Sequence, residues 1–180
     1  MRTRLWMCVL CAALAAAPAV ARATSMIPLA VEQLAERSQA VVRAQTLSTT
    51  SAWDGHGRIV THAHVRVLES LAGPHAPGEE LDVATYGGTV GGTSMIVIGA
   101  PVFAAGEEVV LFLAPQDGLG MGIAELGQGK FEVTRDARGA VRLTRRSLEG
   151  VDFVHGATPE PVLDLTLLRL HVARAARLAR

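Results

Sequence analysis

The chain has 180 residues, 17 basic and 17 acidic side chains, and a hydrophobic content of 49%. That length suffices for one domain that buries a sizeable core. The even charge balance excludes the basic footprint of a nucleic-acid binder.

The first stretch, MRTRLWMCVLCAALAAAPAVARATS, places two arginines before an apolar run from Leu5 to about Val20. Small residues follow at Ala19-Val20-Ala21 and Ala21-Arg22-Ala23. This order reads as a secretory signal peptide over residues 1–23, too short for a comfortable membrane span, with cleavage expected after Ala23 or, alternatively, Ala21. Leu10 precedes Cys11, so the small residue that a lipid-anchoring site needs is missing. Both cysteines, Cys8 and Cys11, fall inside the signal. The mature chain is therefore expected to have no disulfide, no thiol nucleophile and no thiolate metal site. Loss of Arg2, Arg4 and Arg22 leaves 14 basic against 17 acidic residues. The expected location is the periplasm or the cell exterior, with no transmembrane segment in the mature chain. Lys130 is the only lysine beside sixteen arginines, and Ala, Gly and Val abound, which fits a GC-rich bacterial coding sequence. The mature aromatics, Trp53, Tyr86, Phe103, Phe112, Phe131 and Phe153, are too few for a stacking surface that binds sugars or single strands.

Pro28 to Arg37 has helical spacing and predicts a short leading helix. Ala40 to Thr49 then alternates, with Ala40, Val42, Ala44 and Thr46 on one face and Arg43 and Gln45 on the other, as in a strand with one wet face. Trp53 to Gly57 carries an Asp-Gly turn signal, and Arg58 to Glu69 resumes the alternation to complete a hairpin. Glu80 to Tyr86 is a third strand. The glycine-rich YGGTVGGTS, Tyr86 to Ser94, reads as a wide loop leading to a short apolar strand, Met95 to Ile98. Turns at Gly99-Ala100-Pro101 and Ala105-Gly106 precede Glu108 to Ala114, which is apolar on both faces and so is expected to be central or covered. Gly129 to Arg135 and Ala140 to Arg145 form a last hairpin. A helix is expected over 158–180, capped by Thr158, with Pro159 and Pro161 in its first turn. Seven short strands with a helix at each end predict a small antiparallel barrel or sandwich over 24–157.

The glycine stretch lacks the lysine of a phosphate-binding loop. Gly122 to Gly127 has the glycine spacing, but Gln128 stands in the lysine position. His62 and His64 form a His-x-His pair on one strand face, which is ligand spacing, and are the candidate metal ligands. Arg66 shares that face and disfavours a cation. Ser94 lies outside a Gly-x-Ser-x-Gly elbow, and no spacing brings Asp54, His56 or His155 to it. Glu79-Glu80 and Glu107-Glu108 flank strand starts and read as solvated turn ends. Arg142, Arg145 and Arg146, with Arg135 and Arg138, crowd one hairpin and are the candidate binding residues for an anionic envelope surface or partner. No catalytic residue and no cofactor is assigned.

SQAVVRAQT, THAHVRVLESLAGP and GAPVFAAGEEVVLFLA together resemble the strand order of netrin-like domains, the OB-type barrels that include the tissue inhibitors of metalloproteases. The same pattern is similar to that of uncharacterised secreted bacterial proteins with a GGxxGG…GxPxFxxGExVxLFL core. The resemblance spans about Ser38 to Pro115 and implies an OB-type barrel whose loops bind something. The inhibitors place an amino-terminal cysteine on the protease zinc, and a mature chain without cysteine has no such group. The expected function is a non-enzymatic exported binding module for a protein or envelope component. The alternatives are a hydrolase or metal-dependent enzyme with a dispersed site, and an envelope-associated structural protein held by the carboxyl-terminal helix.

Overall fold

The computed structural model describes residues 25–154 and 162–178. The expected signal peptide with its cysteines, His155, Thr158, Pro159, Pro161 and Arg180 lie outside the described residues. In chain order the elements are β1 (Ser25–Met26), α1 (Val31–Glu36), β2 (Ala40–Trp53), β3 (Ile59–Ala72), β4 (Glu80–Tyr86), β5 (Gly88–Val90), β6 (Thr93–Met95), β7 (Glu108–Gln116) and β8 (Gly120–Ile123). After a 3-10 turn at Leu126–Gly129 come β9 (Lys130–Arg135), β10 (Val141–Thr144), a second 3-10 turn at Arg146–Leu148, β11 (Asp152–Phe153), β12 (Val162–Asp164) and α2 (Leu165–Leu178).

The main sheet runs β12-β10-β9-β7-β2-β3-β4-β8, and β8 pairs back onto β7. Strands β2, β3, β4, β8 and β7 therefore close on themselves as a five-stranded barrel, and β9, β10 and β12 extend from β7 as a flap. All but one of the barrel pairings are antiparallel. The exception is β4 against β8, which meet in parallel at Ala84 and Gly122. Closure removes the free edges that an open sheet of these strands would expose.

The double-faced apolarity of VVLFL has a specific cause. Val109, Leu111 and Leu113 point into the barrel with Val42, Ala63, Val65 and Val83. Val110 and Phe112 point outward, to a second core that Leu34 of α1 and Leu168 and Val172 of α2 cover with Val41, Phe131 and Leu143. Phe112 is completely buried, and a side chain of that size contributes roughly 1.5–3 kcal/mol by leaving water. The two helices thus lie together over one wall of the barrel. Their contact is tied by His171, whose Nδ1 hydrogen-bonds Glu32 Oε1. Arg169 fixes α2 to β3 through a two-point pair with Glu69, at 2.8 and 2.7 Å.

Three sequence expectations need correction. β2 and β3 run on to Trp53 and to Ala72, past Thr49 and Glu69, because Thr50 to Trp53 pair with His62 to Ile59, and Ser70 and Ala72 pair with Val42 and Val41. Met95 to Ile98 is not a strand. Only Met95 belongs to one, while Ile96 is 88% exposed and outside any ladder. The carboxyl-terminal helix starts at Leu165, not at Thr158, because Val162–Asp164 pair with β10 instead. Its amino-terminal cap is Asp164, whose Oδ1 accepts the backbone N–H of Thr166 at 2.7 Å. That contact also holds the Asp164 carboxyl below the usual carboxylate range.

A hydroxyl-floored cleft beside the glycine hairpin

YGGTVGGTS is a hairpin, not a wide loop. β5 and β6 pair through Gly88 with Met95, Thr89 with Ser94 and Val90 with Thr93. Gly91 at φ +54° and Gly92 at φ +84° form the two-residue turn, both in the left-handed region that a type I′ turn requires. Gly88 serves a different need. A Cβ there would lie 2.3 Å from Thr61 Oγ1 and 2.5 Å from Ser51 Oγ, so only glycine lets the hairpin settle on β2 and β3.

Between this hairpin and the chain from Ile96 to Phe103 lies a cleft of about 410 Å³. Thr49, Ser51, Thr61 and Thr85 line it from the barrel, Thr89, Ser94 and Met95 from the hairpin, and Ile96, Val97, Val102 and Phe103 from the apolar side. Thr61 Oγ1 donates to the Gly87 carbonyl at 2.6 Å. Its single proton is thereby used, so Ser51 is the donor in the 2.8 Å contact between the two hydroxyls. Thr89 and Ser94 hydroxyls meet at 2.9 Å across the hairpin. Ile96 and Val102, 88% and 76% exposed, form an apolar lip open to solvent. Among the described residues the lining contains no Asp, Glu, His, Lys or Arg. Such a surface can accept an apolar group and offer hydroxyls to its polar edges, but it holds no carboxylate or imidazole for general acid-base chemistry.

The lip is anchored from behind. Lys130, fully buried, places Nζ 3.0 Å from Glu132 Oε1, 3.1 Å from Glu107 Oε1 and 5.1 Å from the centre of the Phe103 ring. Glu107 Oε1 also accepts the Ala104 N–H at 3.0 Å, and Glu132 Oε2 accepts the Arg146 N–H at 3.0 Å. This one amine therefore ties the segment carrying Phe103 to β9 and to the turn after β10. Nothing in the sequence pattern points to Lys130 beyond its being the sole lysine. Its burial depends on a strand pairing that periodicity does not reveal.

His62 and His64 share a face of β3, His62 exposed and His64 half-buried. The His64 ring is already occupied: Nε2 lies 2.8 Å from Glu80 Oε2 and Nδ1 3.0 Å from Asp82 Oδ1. These contacts, Glu80 foremost, raise its pKa. Both ring nitrogens thus face carboxylate oxygens. Among the described residues no group of three or more His, Cys, Asp or Glu could hold a metal ion. Asp54 accepts the backbone N–H groups of His56 and Arg58 and the Arg58 guanidinium. The Arg58 backbone contact contributes most to holding its carboxyl near a pKa of about 2. Asp54 is thus engaged within its own turn, while Ser94 is bonded to Thr89. The paired glutamates separate in the same way: Glu79 binds His75, Glu80 binds Arg66, Glu107 binds Lys130 and Glu108 binds Arg43.

The three candidate arginines do not form one patch. Arg142 lies 3.6 Å from Asp136, Arg145 is buried with its guanidinium 4.3 Å from the Phe131 ring centre, and Arg146 is exposed. Gln128, in place of the loop lysine, accepts the Leu29 N–H at 2.9 Å and donates to the Ile27 carbonyl at 3.1 Å. It therefore stitches the amino-terminal segment to the barrel. Among the described residues no helix is long and apolar enough to cross a membrane. No family model, curated protein or solved structure matches this chain.

Proposed function

We propose that the chain is an exported, non-enzymatic binding module of bacterial origin that uses the cleft beside the β5–β6 hairpin to hold an apolar segment of an envelope or secreted protein. The observation that carries this reading is the cleft itself, with hydroxyl groups along the barrel side, Ile96 and Val102 exposed at its lip, and no carboxylate, imidazole or cation among the described residues of its lining. Large exposed aliphatic side chains beside a preformed cavity cost solubility unless a partner covers them. The leading stretch of basic, apolar and small residues supports export. The netrin-like strand pattern of Ser38 to Pro115 supports a role for the barrel as a scaffold for binding loops, a function such barrels carry without catalysis.

The test is co-purification from the envelope fraction of the producing cell, with the wild type beside Ile96→Asp and Val102→Asp. Both positions are solvent-exposed, so the variants should fold normally. The proposal expects a discrete partner retained by the wild type and lost by both variants. Retention of the same partner by both, or its absence with the wild type, tells against the cleft.

A further inference from the structure

The outer face of α2 has a character that the barrel does not use. The helix sequence LTLLRLHVARAARL contains no acidic residue. Its inner positions, Leu165, Leu168, Val172 and Ala175, are buried against the wall of the barrel. Opposite them, Leu167 and Leu170 are 49% and 62% exposed. Arg174 and Arg177 stand on the same side, and with Leu170 and Ala173 they border a groove of about 270 Å³. Two other polar side chains of the helix face partners on neighbouring elements, Arg169 on Glu69 and His171 on Glu32. Neither Arg174 nor Arg177 makes a salt bridge among the described residues, although Arg174 lies close enough to lower the Glu32 pKa, after the larger effect of His171.

We propose that this outer face of α2 is a docking surface for an anionic phospholipid bilayer, on which Leu167 and Leu170 enter the headgroup boundary while Arg174 and Arg177 meet lipid phosphates. Charge complementarity selects this occupant. A helix with exposed leucines beside arginines and without a single carboxylate of its own matches a surface that is apolar below and negative above, and its aliphatic arginine stems lie along the apolar layer. A single short helix gives weak, reversible attachment, consistent with a helix that also packs on a barrel. The inference is independent of the cleft, which lies elsewhere on the molecule and shares no residue with α2.

The experiment uses the chain from Thr24 onward, which contains every described element. It is sedimented with vesicles of phosphatidylglycerol and phosphatidylcholine in equal parts, and with phosphatidylcholine alone, at low and at high salt. The expected result is binding to the anionic vesicles at low salt, its loss at high salt, and little binding to phosphatidylcholine. Each arginine near an anionic surface is worth about fivefold in partitioning, so Arg174→Gln with Arg177→Gln should weaken binding about 25-fold. Leu170→Ser should weaken it severalfold without changing the far-ultraviolet spectrum, since Leu170 is exposed. Should the double variant fail to fold, the salt titration of the wild type decides alone. Absence of binding at low salt, equal binding to both vesicle types, or lipid-free dimerisation abolished by Leu170→Ser each overturns the proposal.

Discussion

Lys130 holds its ammonium 3.0 Å from Glu132 with the lysine side chain wholly removed from solvent, in a chain that has no other lysine. A buried cation between two carboxylates contributes little net stability over an apolar replacement of the whole set, yet removing one member strands the others. Lys130→Met should therefore destabilise the fold by about 3–5 kcal/mol. Adding Glu107→Gln and Glu132→Gln to the same chain should recover most of that loss. Urea denaturation at neutral pH measures both. A loss below about 1 kcal/mol in the single variant would mean that Glu107 and Glu132 find water or other donors.

Gly88 and Gly91 occupy the same nine-residue stretch for different reasons, and valine separates them. At Gly91 the added side chain meets open space and pays only for a positive φ, so Gly91→Val should cost about 1–2 kcal/mol, and Gly91→Asn much less. At Gly88 the clash with Thr61 and Ser51 adds to the strain at φ +131°, and Gly88→Val should lift the hairpin off the barrel. Thermal melting of the three variants gives the order. Equal melting temperatures for Gly88→Val and Gly91→Val would contradict this packing.

The acid and base limbs of stability should follow different pairs. Arg169 and then Arg43 hold the Glu69 carboxyl below its ordinary value of 4.5. A depressed folded-state pKa means that the stabilisation is present above pH 4.5 and is lost as pH falls through the folded value. Arg169→Ala should raise the Glu69 midpoint toward 4.5 and cost under about 1 kcal/mol at neutral pH, because the pair is partly exposed. For His64, the carboxylates of Glu80 and Asp82 raise the folded value above 6.5, so its contribution is complete below pH 6.5 and disappears as pH rises through the folded midpoint. Imidazole and carboxyl proton titrations check both signs. A His64 midpoint at or below 6.5 would show that the two contacts do not persist in solution.

Asp164→Ala removes the cap of α2 and should destabilise the chain by about 1 kcal/mol, whereas Asp164→Asn should be nearly neutral, since either side chain can accept the Thr166 N–H. Equal effects of the two would assign the cap elsewhere.

The barrel was legible because its evidence is periodic. Alternation over Ala40 to Ala44 and Ile59 to Val67, the strand at Glu80 to Tyr86, and the unbroken apolarity around Phe112 all translate directly into sheet positions. The glycine hairpin was less so. Three-residue strands carry too few side chains for a period, and the aliphatic run after Ser94 drew the strand assignment onto Ile96, which in fact stands in solvent. β12 was masked in the same way, because Val162 to Asp164 precede a helix in an apolar pattern that suits either state. The candidate cleft was not legible at all. Its walls come from β2, β3, β4, the hairpin and the segment before β7, which are separated along the chain and meet only when the strands pair side by side. His62, His64 and the arginines drew attention because of residue type, yet type does not disclose that Glu80 and Asp82 face His64 across a register, or that Arg145 turns inward onto Phe131.

The central claim is that the cleft beside the hairpin meets a protein partner. It is tested most directly by a photo-reactive amino acid placed at Ile96, with Arg138 on the exposed β9–β10 turn as the control, and irradiation within the cells that make the chain. The account predicts a discrete covalent adduct from position 96, absent from position 138 and diminished when Val102→Asp is added. No adduct at position 96, or the same adducts from both positions, would contradict it.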